Sequence, residues 1–169
     1  MSKQNANKKP KEVPEGRPVA QNRKARHDYE ILETFEAGLV LVGSEVKSVR
    51  SGRSQLRDSY ARVESGELWV HSFHIPPYEQ AVGFGAHDPD RPKKLLMHRL
   101  EIDRLYSKAQ QGSLTLVPLA VYFKQGRAKM EIALAKGRKS YDKRKALASR
   151  DAERDIRRAA ASVGVRING

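Results

Sequence analysis

The chain has 169 residues, with 33 Lys and Arg against 20 Asp and Glu and a formal charge of +13. That length holds one ordinary domain with tails, and the cation excess points to a polyanionic partner, nucleic acid first among them. There is no Cys, which excludes disulfides, zinc–thiolate sites and cysteine nucleophiles and suits a reducing compartment.

Residues 1–21 are rich in Lys, Asn and Pro (Pro10, Pro14, Pro18) and almost free of large apolar side chains. Burial cannot offset the entropy of ordering them, so this basic extension is expected to be disordered. The first eleven residues lack the apolar run of a secretory signal. A folded unit is expected over 22–135. Tyr29–Phe35 reads as a strand, Glu36-Ala37-Gly38 as a tight turn using positive φ at Gly38, and Leu39–Val42 as the returning strand. Ser44 is placed to cap a short helix from Glu45 to Ser51, with Lys47 and Arg50 sharing one face. Ala61–Glu64 and Leu68–Ile75 form a hairpin around Ser65-Gly66. Residues 83–93 read as a long mobile loop, followed by the short apolar run Leu95-Leu96-Met97. Ile102, Leu105, Tyr106 and Ala109 recur at helical spacing, so His98–Gln110 is an amphipathic helix.

Leu114–Phe123 is apolar on both alternating faces. It is expected to be buried on both faces, between a barrel interior and the preceding helix. It is too short to span a bilayer, and the chain is expected to be cytoplasmic. After a turn at Gln125-Gly126, Ala128, Met130, Ile132 and Leu134 point one way while Arg127, Lys129 and Glu131 point the other. The sum is a mainly β fold: a small closed antiparallel barrel of the oligonucleotide-binding (OB-like) kind, about six strands, with two to three short helices. Residues 136–169 form a basic C-terminal tail, expected to be disordered when free.

Charge is unevenly placed. Residues 1–26 carry a net +6, residues 27–135 are balanced, and residues 136–158 carry another +6. A neutral barrel thus lies between two cationic segments. The five His are scattered, and His71 and His74 fall on opposite faces of a strand, so no metal site is expected. No phosphate-binding glycine loop and no nucleophile–base pair stands out, which argues against an enzyme and needs no cofactor. The clusters that remain suit RNA. Asn22-Arg23-Lys24-Ala25-Arg26-His27 sets three cations and an amide just before the barrel, for phosphates and for a base edge or 2′-hydroxyl. Lys129 projects outward, and the Glu36 carboxylate can accept from a base amine or hold a neighbouring cation.

Several segments then occur in a collinear succession that resembles the SmpB family, the SsrA-binding proteins. They are Asn22-Arg23-Lys24-Ala25-Arg26-His27, Phe35-Glu36-Ala37-Gly38-Leu39 and Gly43-Ser44-Glu45-Val46-Lys47-Ser48-Val49-Arg50, followed by Asp58-Ser59-Tyr60, Lys93-Lys94-Leu95-Leu96-Met97-His98 and Ala135-Lys136-Gly137-Arg138-Lys139-Ser140-Tyr141-Asp142-Lys143-Arg144. The resemblance implies binding to the tRNA-like domain of transfer-messenger RNA and delivery of that RNA to stalled ribosomes for trans-translation. It implies a monomer whose tail enters the small-subunit decoding centre and the empty mRNA channel, and becomes helical there. By motif match the RNA face would comprise Asn22, Lys24, Arg26, Glu36, Lys47, Arg50, Leu96, Lys129 and Lys136. The ribosome-contacting tail would comprise Tyr141, Asp142, Lys143, Arg144, Arg150, Arg154, Arg157 and Arg158. Composition alone also allows a structural ribosomal protein or a general RNA chaperone.

Overall fold

The computed structural model describes residues 15–79 and 87–164. In chain order the elements are β1 (Pro18–Gln21), α1 (Arg23–Asp28), β2 (Tyr29–Leu39), α2 (Gly43–Arg50), β3 (Tyr60–Glu64), β4 (Glu67–His71), β5 (Lys93–Leu96), α3 (Arg99–Gln111), β6 (Thr115–Lys124), β7 (Arg127–Gly137) and α4 (Ser140–Gly164). No helix among the described residues is long and apolar enough to cross a membrane.

All strand pairings are antiparallel, and they return on themselves: β2–β7–β6–β3–β4–β5 and back to β2. The ring is uneven. β2–β7 and β6–β7 are long ladders, whereas β3 meets β6 at the single register pair Ala61↔Leu116 and β5 meets β2 at two. Both tight hairpins take the form their sequences require. Ser65 (φ 49°) with Gly66 (φ 76°), and Gln125 (φ 50°) with Gly126 (φ 71°), have both central residues in the left-handed region, which matches the twist of the flanking strands.

The interior holds the alternating apolar residues of the strands, among them Leu68, Val70, Met130 and Ile132, and α3 adds Ile102 and Leu105 to it. A second, smaller cluster lies outside the sheet, where Ala25 of α1 covers Val117, Leu119, Ala133 and Ala135. β6 is therefore buried on both faces, as its composition requires. The cover is α1, however, and not the preceding helix, whose apolar stripe turns into the main core.

Other expectations are corrected. Glu36-Ala37-Gly38 is not a turn: β2 runs unbroken for eleven residues and pairs Glu36 with Glu131, Ala37 with Met130 and Gly38 with Lys129. Gly38 is needed for space, since a Cβ there would stand 3.2 Å from the Leu96 Cβ on β5. There is consequently no returning strand at Leu39–Val42, though the Val40 N–H still donates to the Lys94 carbonyl at 3.0 Å. Helix α2 begins at Gly43, and Glu45 rather than Ser44 caps it, its Oε2 accepting the Val42 N–H at 2.9 Å. β4 stops at His71, where Ser72 takes a positive φ of 54°.

The N-terminal boundary also moves. Pro18–Gln21, placed in the disordered extension, is a strand on β6, occupying the edge beyond β3; residues 1–14 lie outside the described residues. Within the tail, Ser140–Gly164 form the 25-residue helix α4, which its alanines and alternating charges favour locally. Of the loop expected over 83–93, residues 83–86 lie outside the described residues, and Lys93 already belongs to β5.

Residues 87–92 are fastened by a buried polar node that the sequence reading did not foresee. The Glu45 side chain is fully buried, and Arg91 grips it with two bonds, Nε to Oε1 at 2.7 Å and Nη2 to Oε2 at 2.5 Å. The Lys93 ammonium, also buried, donates to the Phe73 carbonyl at 2.6 Å and the Pro89 carbonyl at 3.0 Å. Burial pushes the Lys93 amine down to about 8, with Glu45 opposing the fall. The unfolded chain keeps that proton to about pH 10.4, so between these values the folded state binds fewer protons and stability rises with pH. Tyr122, whose hydroxyl burial pushes upward, reverses the trend above about pH 10. The unfolding free energy measured with urea is expected to climb from pH 8 to pH 10, by on the order of 2 kcal/mol, and to stay level in Lys93→Met. A level wild-type profile would remove the desolvated lysine from this account.

Candidate nucleic-acid interface

Strand register places one row of residues across the outer face of the sheet. From β5 to β1 it runs Leu96, Gly38, Lys129, Tyr122 and Pro18, each paired with the next. The row behind it runs Glu36, Glu131 and Ala120. Period-two alternation sends Met130 and Ile132 inward and leaves these residues facing out. Because Gly38 has no side chain, Leu96 lies over it, 54% exposed, in a groove shared with Leu41, Val46, Phe123 and Lys129.

The polar part of the face is tied together. The Tyr122 hydroxyl donates to the Glu36 carboxylate in a short bond, and the Lys124 ammonium stands 3.5 Å from both of its oxygens. The bond from Tyr122 holds the Glu36 carboxyl below its usual value against the opposing pull of burial, and the Lys124 and Lys129 ammonium groups add to the fall. Arg26 approaches Glu131 at 3.9 Å, and the Arg50 guanidinium lies 4.4 Å over the Phe123 ring. Glu36, Leu96, Lys129, Arg26 and Arg50 therefore converge on one basic, partly apolar surface that can meet phosphates and unstacked bases.

The other expected RNA residues fall elsewhere. Asn22 is a correction: it is buried, and its whole amide is used internally. Oδ1 accepts the Ala25 N–H at 3.1 Å, and Nδ2 donates to the Leu56 and Pro118 carbonyls at 3.2 and 3.1 Å. It caps α1 and cannot present a free edge to a base. Lys24 turns to Asp58, 3.0 Å away. Lys47 is exposed, with its ammonium 5.7 Å from the Tyr78 ring centroid. Lys136 pairs across the sheet with Glu30 and lines a hollow between the end of β7 and α4, with Arg138, Asp142 and Lys145.

On α4, Asp142, Arg144, Arg157 and Arg158 are exposed, Arg154 faces Asp151 at 3.7 Å, and Arg150 donates to the Arg26 carbonyl at 3.3 Å. Tyr141 and Lys143 sit in its first turn; their side chains lie outside the described residues. Tyr122 and Lys124 were missed. Alternation along β6 could have found them, since Tyr122 falls opposite Lys129 once the Gln125-Gly126 turn fixes the register. Among the described residues, no three His, Asp or Glu gather as metal ligands would.

The family model described as SmpB protein matches residues 19–162. The chain belongs to the SmpB family. A relative named SsrA-binding protein, from Desulforudis audaxviator, is 61% identical over 142 residues, covering 84% of this chain and 92% of that protein. Another of the same name, from Frankia casuarinae, is 58% identical over 143 residues, covering 85% and 89%. A solved chain from work described as "tmRNA-SmpB: a journey to the center of the bacterial ribosome" superimposes with a TM-score of 0.60 at 50% identity, covering 71% of this chain and 84% of that one.

Proposed function

We propose that this protein binds the tRNA-like domain of transfer-messenger RNA on the β2–β7–β6 face and delivers it to stalled ribosomes for trans-translation. The observation that carries the reading is the row Leu96–Gly38–Lys129–Tyr122, an apolar and aromatic strip beside cations on a rigid sheet. The SsrA-binding name of relatives near 60% identity supports the choice of RNA, and the structural relative described with tmRNA and the ribosome supports the destination. The role is binding in the cytoplasm, without catalysis or cofactor.

The tail has a separate task. α4 touches the barrel lightly, with Arg150 on the Arg26 carbonyl, and leaves Leu147 44% and Ile156 68% exposed. A helix with so little packing is marginal in water. It melts in the free protein and is held on the ribosome, where its arginines meet rRNA phosphates in the mRNA channel. An intact mRNA fills that channel, so the helix reports a vacancy.

Removing the chain after Arg138 is expected to leave affinity for the tRNA-like domain within about threefold and to abolish tagging on stalled ribosomes; loss of RNA affinity instead would end this division of labour. Lys129→Ala is expected to reduce the slope of log affinity against log salt by ~0.7–0.9, the share of one phosphate contact. An unchanged slope counts against the sheet face.

A further inference from the structure

We infer that Tyr122 is a further RNA-contacting residue, an aromatic plate beside Lys129, and that Glu36 serves as its positioning residue rather than as a reader of bases. This rests on the reading of the β2–β7–β6 face as the RNA surface.

Three observations carry it. Tyr122 faces outward on β6, directly across from Lys129 on β7, which itself pairs with Gly38 beneath Leu96. The ring is only half-buried, so one part is anchored and another remains available to a ligand. Its hydroxyl is committed to Glu36, two strands away, and the Lys124 ammonium stands 3.5 Å from both oxygens of the same carboxylate. The Tyr122–Glu36 bond thus spans β7 and fixes the ring's tilt.

A carboxylate on a polyanion's docking surface is costly unless it is neutralised. Glu36 is engaged within the protein, its charge offset by the Lys124 ammonium and one oxygen accepting from the Tyr122 phenol, so its carboxylate is given first to holding the ring. The ring gains from the arrangement. An aromatic held in one orientation loses less freedom when a base or ribose packs on it, and base–aromatic packing tolerates any sequence. The ligand chemistry is an unpaired, splayed nucleotide of a folded RNA, its phosphate toward Lys129 or Lys124.

The test uses full-length protein and a transcript of the tRNA-like domain, with an RNA duplex of equal length as control. Tyr122→Leu is expected to weaken the transcript roughly 5- to 150-fold, the range of one lost stacking contact, and the duplex much less. Tyr122→Phe keeps the plate and loses only the tether, so a loss of a few-fold is expected. Glu36→Ala should cost about the same as Tyr122→Phe, and the double variant no more than either alone, because both break one bond. The salt slope should be unchanged in both Tyr122 variants, since neither changes a charge.

Native transcript affinity in a folded Tyr122→Leu, while Lys129→Ala still weakens binding, would overturn this inference and spare the RNA reading. Indifference to both substitutions would overturn the two together. Fully additive losses in the double variant would return Glu36 to a contact of its own with the RNA. Thermal melting of each variant identifies any that loses affinity by unfolding. If Tyr122→Leu unfolds, Tyr122→Phe and the double variant still decide the coupling.

Discussion

Asn22→Ala is expected to lower the unfolding free energy by about 3 kcal/mol, from a lost helix cap and two lost buried hydrogen bonds to the Leu56 and Pro118 carbonyls. The residue supplies three hydrogen bonds from one buried amide, to Ala25 N, Leu56 O and Pro118 O. These join the start of α1 to the segment before β3 and to the middle of β6. Because α1 covers Val117, Leu119, Ala133 and Ala135, freeing its first turn loosens the outer cluster as well. Thermal melting by circular dichroism should show a fall of roughly 10 °C. Among temperatures where the variant remains folded, its RNA salt slope should match wild type. A stable variant that has lost RNA affinity would mean that the amide reads RNA after all.

The second large effect is at Arg91. Arg91→Ala leaves the Glu45 carboxylate buried without its partner, and a broken buried pair of this kind costs about 3–5 kcal/mol. Glu45 is fully enclosed and keeps only the Val42 N–H, with the Lys93 ammonium nearby among its own carbonyl partners. Glu45→Gln added to Arg91→Ala removes the stranded charge, so the double variant should be more stable than Arg91→Ala alone. Urea unfolding of the two variants makes the comparison. A double variant that is the less stable of the two would show that the carboxylate finds another counter-charge. Since Arg91 also ties residues 87–92 to α2, whose Val46 lines the groove by Leu96, the damage should spread to the RNA face.

The legible parts of the fold were those set by local chemistry. Ser65-Gly66 and Gln125-Gly126 turn as their residue types predict, and the alternation of β7 and the stripe of α3 emerge as read. The misread parts depend on partners distant in sequence. Gly38 looks like punctuation, yet it is a glycine because Leu96, far along the chain, crosses above it. β1 has only four residues and exists because β6 offers it a free edge, with Pro18 at the first position where a missing N–H is tolerated. For the site, Glu36, Leu96 and Lys129 were named from motif resemblance, and the register explains why they share a surface. Asn22 was placed with the RNA ligands because an amide among cations resembles a ligand group; its three internal partners include two far away in sequence, and only the tertiary structure reveals them.

The hoop of strands is fastened unequally, and its lightest joint is the one residue pair between β3 and β6. Spontaneous opening will begin there, where few bonds must break, before it touches the long ladders of β2, β7 and β6. The wall that carries Glu36, Lys129 and Tyr122 is the last to distort. The protein can therefore breathe on one side while the surface offered to its ligand keeps its shape.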